Sequence, residues 1–209
     1  MNFNIPWEYW ENFGLRSAQQ HAIVKVFHLE LGGWNVSAVR DKLTGGTRTS
    51  VGSADEVIQK LLKNSAGLPA IYDLFLDEDP VVAMRASYVA MKVAEQKPDS
   101  VEPFAKQLLK NLDLYIQQEV RWHVPQLLAH LKLTLAQKRK AYEVLMEWSE
   151  TDKSKIVGYY SLQTAANFAE ADDKLLRDFI PRLKKLNKTG AKSIQNRCKK
   201  IAKQLGFVL

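Results

Sequence analysis

Residues 79–93 read DPVVAMRASYVAMKV, a turn followed by one amphipathic helix, and the pattern returns down the chain. With Val82 as reference, the counterparts are Val120, Val157 and Ile194, at spacings of 38, 37 and 37 residues. Four positions later stand Ala86, Val124, Ser161 and Cys198. Eight later stand Ala90, Leu128, Ala165 and Ala202, and eleven later Val93, Leu131, Phe168 and Leu205. These offsets share one face of a helix. The preceding helices align as well. Eleven positions before each reference lie Ile71, Leu109, Met146 and Leu183, and eight before lie Leu74, Leu112, Ser149 and Leu186. Each unit is therefore a helix pair, and such a pair cannot bury its apolar face alone. The expected fold is all-α, a right-handed α-α superhelix of about four to five stacked helix pairs. No stretch has the alternation of a sheet, so no strand is expected.

Working outward, the pattern predicts helices over about 53–64, 67–76, 80–96, 100–112, 118–131, 135–149, 153–170, 172–187 and 190–205. Pro80 suits a first helical position, where a missing N–H has no partner to lose. Thr134 reads as an N-cap, and Ser53 with Glu56 as a capping box. Upstream, Val36–Leu43 reads as a short helix stopped by Gly45 and Gly46. The loop TRTSVGS that follows, with Arg48, has two readings: simple turn chemistry, or backbone donors around a phosphate at a helix N-terminus. Residues 1–33 fall outside the repeat and are rich in aromatics, among them Trp7 and Trp10. They read as a hydrophobic cap on the first pair or as an arm, with a helix over 17–31. The domain reading is thus an N-terminal extension, 1–33, and a repeat domain, 34–209.

Of the 209 residues, 46% are hydrophobic, enough for a sizeable core, and the formal charge is +7. No apolar run approaches the roughly 18 residues of a membrane span. The opening MNFNIPWEYWENF has no basic segment and carries Glu8 and Glu11, unlike a secretory signal. Cys198 is the one cysteine, which excludes an internal disulfide and a cysteine zinc cluster. It falls on the core face and reads as a buried thiol. A reducing, cytoplasmic setting is expected.

The period and the Asp-Pro turn resemble the HEAT repeat. That pattern places an Asp in the turn and an Arg six residues later, in a ladder between units. Asp79 and Arg85 match it, whereas the later units carry Gln117 with His123, Ser154 with Tyr160, and Ala191 with Arg197. The stretches LTGGTRTSVGSADEV, LFLDEDPVVAMRASYVAMKV, IQQEVRWHVPQLLAHLKLT and SKIVGYYSLQTAANFAE look like a family of small bacterial HEAT-like proteins. The chain departs from that family's pattern at Ala83 and Thr47. The resemblance implies a fold and carries over no catalytic residue, so no enzyme activity, cofactor or metal is expected from it.

Charge is concentrated at one end. Between Lys174 and Lys203 lie eleven basic residues, opposed by Asp178 alone. That segment carries a net +10 in a chain of +7, leaving −3 for the remainder. Arg197, Lys199 and Lys200 stand in its last helix. A basic end suits phosphate contact with nucleic acid, an acidic protein partner, or simply a solvated end cap. On the second helices, Arg121, Trp122 and His123, then Tyr159 and Tyr160, are the candidate interaction residues, since aromatic and basic side chains together stack on bases or anchor a peptide. His21/His28 and His123/His130 each share a helix face at a spacing of seven residues. That is about 10 Å, too far for one metal ion. Trp122, Trp148, Arg121 and Asp113 bring alkylpurine DNA glycosylases to mind as a remote reading, but their spacing assembles no motif of that family. Asp113 and Asp152 fall in turns, where capping explains them. The expected function is a non-catalytic scaffold for an unidentified protein partner. The alternative is nucleic-acid binding through the basic C-terminal pair.

Overall fold

The computed structural model describes residues 34–47 and 49–209, so the expectations for residues 1–33 and for Arg48 lie outside the described residues. Among the described residues are ten α-helices, several short 3-10 turns and no strand. The helices are α1 Val36–Leu43, α2 Ala54–Lys63, α3 Leu68–Asp73, α4 Pro80–Gln96 and α5 Ala105–Lys110. They continue with α6 Gln118–His130, α7 Leu135–Thr151, α8 Lys155–Glu170, α9 Asp173–Thr189 and α10 Lys192–Gln204. Two compact units form, one reaching Ala90 and the other running Met91–Leu209, so the boundary falls inside α4.

In the first unit, α1 packs on α2 and α3. The loop from Leu43 to Ser53 closes around the guanidinium of Arg85, which is buried at 2% exposure. Arg85 Nε donates to Ser50 O at 2.9 Å, and its Nη1 donates to Leu43 O at 2.8 Å and Thr44 O at 3.0 Å. The loop therefore turns carbonyls inward and cradles a cation. The anion-site reading of this loop is corrected: its centre is filled, and by the opposite charge. Gly52 has a φ of 53°, and a Cβ there would lie 2.8 Å from Arg85 Cζ. Both conformation and space demand glycine. Gly45 and Gly46, at φ 76° and 75°, end α1 as expected. The capping box at Ser53 does not form. Ser53 has a ψ of 12°, away from the extended geometry that lets an N-cap side chain fold back.

In the second unit, the helix expected over 100–112 is broken up. Pro98–Ser100 and Glu102–Phe104 are 3-10 turns, α5 is six residues long, and Leu112–Leu114 is 3-10 again. Pro103 lies inside the expected helix without an N–H to donate, and the next amide, Phe104 N, bonds to Val101 O at 3.0 Å in a 3-10 turn. The stretch 67–76 is similarly short, with α3 passing into a 3-10 turn at Leu74–Leu76. From α6 onward the helices are long. Helix α8 packs on α6, α7, α9 and α10, while α9 packs on α7 and α10, and α5 on α7. The first helices of the pairs adjoin one another, and so do the second helices. Helix α7 opens with a full capping box: Gln137 N donates to Thr134 Oγ1 at 3.3 Å, and Thr134 N donates to Gln137 Oε1 at 2.9 Å.

Burial follows the apolar pattern of the helices. All the aligned positions named above are buried except Leu205, which is half-buried near the chain end. Leu128 is fully enclosed. Replacing Leu128 with Ala should therefore cost about 2–5 kcal/mol in urea unfolding, because a close-packed site relaxes little around a cavity. A loss below about 1 kcal/mol would contradict this packing. Gly52→Ala should cost about 1–3 kcal/mol through left-handed strain alone, with displacement of Arg85 in addition. An unchanged unfolding midpoint would show that the loop does not need its conformation.

Candidate interaction surface

Three turns share one construction. Asp77 Oδ1 accepts from Asp79 N at 2.9 Å, Asp152 Oδ1 from Ser154 N at 2.8 Å, and Asp172 Oδ1 from Lys174 N at 2.9 Å. Each carboxylate thus closes an Asx turn at a helix entry. Its Oδ2 then receives an arginine from an earlier helix: Arg40 at 2.8 Å, Arg121 at 2.8 Å and Arg139 at 2.6 Å, respectively. Burial raises the proton affinity of Asp77, but hydrogen bonds from Arg40 and Asp79 N outweigh it and hold the carboxyl below its usual value. Arg139 holds the Asp172 carboxyl down in the same direction. These pairs escaped the sequence reading, although the aspartates stand at visible helix entries. Their arginine partners are 31–37 residues distant, with no fixed offset.

Among the candidate residues, Asp79 and Arg85 do not pair. Asp79 Oδ1 accepts from Val81 N at 2.8 Å and caps the helix entry, while Arg85 faces the loop already described. Arg121 is a structural residue. Besides Asp152, it donates from Nε to Tyr115 O at 2.6 Å, and its guanidinium lies 5.3 Å from the Trp148 ring centroid. His123 is buried, with its ring edge-on to Trp122 at 5.4 Å. Burial, with Lys92 second, pushes its pKa down to about 3. It is neutral at pH 7. Burial also raises the Cys198 thiol to about 11, so it is no nucleophile at neutral pH. Asp113 is exposed on its 3-10 turn, and Asp152 is held by Arg121. No cluster of metal ligands occurs among the described residues, and no helix there is long and apolar enough to cross a membrane.

The remaining candidates fall on two different surfaces. On the second helices, the turns facing away from the buried side carry Trp122, Gln126 and His130 on α6, and Tyr159, Gln163 and Asn167 on α8. All are half-buried or exposed. Arg197 of α10 lies over the Tyr159 ring at 4.4 Å, and Tyr159 meets Tyr160 edge-on at 5.3 Å. Gln163 Nε2 donates to Gln204 Oε1 at 3.2 Å, which joins the faces of α8 and α10. Lys200 is exposed on the same helix. This is a polar and aromatic face, with Arg197 already positioned against it.

The second surface is basic. Of the eleven cations between Lys174 and Lys203, Arg182 is committed internally. It pairs with Glu150 at 2.7 Å and Asp178 at 3.3 Å and lies 5.9 Å from the Tyr142 ring. Arg197 stacks on Tyr159. The other nine, Lys199 and Lys200 among them, are exposed and form no ion pair with the described residues.

His123 makes stability acid-sensitive. The unfolded histidine protonates near pH 6.5 and the folded one only near 3. The unfolded state therefore binds more protons between those values, and stability falls as pH falls through that window. The slope approaches about 1.4 kcal/mol per pH unit. Urea unfolding of wild type and His123→Gln from neutral pH to about pH 4 should show this slope only in the wild type. Equal slopes would mean that His123 titrates normally in the fold.

Comparison with models of protein families, with curated proteins and with solved structures finds no match to this chain.

Proposed function

We propose that this chain is a HEAT-like right-handed α-α solenoid of four to five helix pairs that serves as a non-catalytic scaffold for a protein partner. The observation that carries this reading is the face of α6, α8 and α10. Trp122 and Tyr159 occupy equivalent register positions on adjoining helices, and Arg197 is stacked beside Tyr159 at 4.4 Å. Trp, Tyr and Arg are the side chains that dominate binding energy at protein interfaces. The groups that catalysis would recruit support the same reading, since His123 and Cys198 are both buried and unreactive. The single cysteine suits a reducing, cytoplasmic setting.

A second reading, nucleic-acid binding through the α9–α10 pair, is favoured by the nine exposed cations that form no ion pair with a carboxylate among the described residues. Unpaired surface charge of one sign is what a polyanion requires.

The two readings separate in one capture experiment. The full chain is immobilised, exposed to nuclease-treated extract of its own cell and washed at about 200 mM salt, where phosphate-dominated binding is weak. The scaffold reading expects one protein retained in near-stoichiometric amount by wild type and lost by Trp122→Ser with Tyr159→Ser. Retention of no protein from nuclease-treated extract, with nucleic acid retained from untreated extract in a wash at about 50 mM salt, would replace the scaffold reading with the second one.

A further inference from the structure

The cations of α9 are arranged as well as abundant. Lys174, Arg177, Lys184, Lys185 and Lys188 recur at i, i+3, i+10, i+11 and i+14, which places all five within about 100° of one helix face. The buried residues of the same helix are Leu175, Phe179, Leu183 and Leu186. Their mean direction is roughly opposite to that of the cations. The stripe therefore looks straight out from the fold. All five side chains are exposed, and none forms an ion pair with the described residues. Asp178 is drawn aside by Arg182 and by the Tyr142 hydroxyl, which donates to it at 2.7 Å. Lys184, Lys185 and Lys188 border a shallow depression of about 390 Å³ beside Pro181 and Thr189.

We infer that this outer face of α9 is a contact surface for the phosphate backbone of a nucleic-acid duplex. The inference rests on the nucleic-acid reading above and narrows it to one helix face and one form of nucleic acid. The stripe is about 21 Å long, the axial length of roughly six base pairs. A duplex supplies anionic charge continuously along that length and asks for no apolar contact. An acidic protein fits less well. Its interfaces place aromatic and apolar anchors at the centre and are depleted in lysine, and no large hydrophobic residue is exposed on α9. A single strand fits less well too, because unpaired bases need aromatic shelves to stack on. The stripe has none. A lipid surface would need an apolar helix face free to enter it, and the apolar face of α9 is buried in the protein.

The test is binding of the full chain to a fluorescent DNA duplex of about 20 base pairs, and to one of its single strands, at about 50 and 200 mM salt. Neutralising five phosphates gives a slope of log K against log salt near −4.5, so duplex affinity should fall about 500-fold between the two concentrations. Lys184→Glu with Lys185→Glu and Lys188→Glu should flatten the slope to about −2 or shallower. These residues are exposed, so the variant should keep the wild-type circular dichroism and unfolding midpoint. Lys199→Glu with Lys200→Glu on α10 should leave the slope nearly unchanged. If the α10 variant loses binding and the α9 variant keeps it, duplex binding stands and the assignment to α9 falls. Equal or tighter binding to the single strand overturns the duplex inference. No binding to duplex or single strand at about 50 mM salt overturns this inference and the nucleic-acid reading together, whereas binding to the single strand alone overturns only this inference.

Discussion

A helix pair with one apolar side per helix has nowhere to bury that side except against another pair, and this constraint sets the rest of the second unit. Val157 and Ile194 are buried in helices with more than one neighbour, and Val120 is buried on α6, which packs on α8. Helix α8 shows it most fully, touching α6, α7, α9 and α10. Small residues follow from that crowding. A Cβ on Gly158 would lie 3.3 Å from Ile194 Cδ1, and Ser161, Ala165 and Ala166 are all buried on the same helix. Close approach of helices needs small side chains somewhere, and the most crowded helix supplies them. The same constraint frees the opposite turns of α6, α8 and α10 from packing, which is why Trp122, Gln126 and Gln163 remain accessible there.

Between the pairs, polar contacts set direction where apolar burial sets only proximity. The turn aspartates fix the entry of α8 and α9 through their own backbone donors and take an arginine at the remaining oxygen. A guanidinium suits this task because its donors are held in a planar fork. The chain divides its cations accordingly. Arg40, Arg85, Arg121, Arg139 and Arg182 each bridge one element to another. The cations left exposed on α9 and α10 are lysines, with Arg177 the one exception. A flexible ammonium adds little to a fold when it stands in water. The lysine surface is therefore poorly explained by stability and is available for another role.

The all-helical content was legible because apolar residues recur at helical spacing, with sixteen positions in line on four of the helices, and no stretch alternates like a strand. What escaped reading depends on contacts across distance. Nothing in the sequence announces that the carbonyls of Leu43, Thr44 and Ser50 converge, because the group they bind, Arg85, stands 35 residues from Ser50. A glycine-containing loop before a helix reads first as a simple turn and only secondarily as an anion nest, and neither reading names its occupant. Arg121 and His123 illustrate the same point on α6. Local spacing places both beside Trp122, but Asp152 draws the first into a turn and packing encloses the second. The broken helix over 98–114 is a different failure. Pro98 reads correctly as a break, but Pro103 falls inside the helix read over 100–112, where the apolar pattern of Leu108, Leu109 and Leu112 does not supply the donor it lacks.

The two candidate surfaces do not compete for the same space. Helix α9 belongs to the row of first helices and turns Leu175, Phe179 and Leu183 toward its neighbours α7, α8 and α10. Its lysine stripe therefore points away from the row of second helices that carries Trp122 and Tyr159. Helix α10 joins the two surfaces: Arg197 reaches Tyr159 on one side, and Lys199 and Lys203 are exposed beyond the buried line of Ile194, Cys198 and Ile201. A polyanion on α9 would leave the aromatic face open, and a peptide on that face would leave the α9 lysines in solvent.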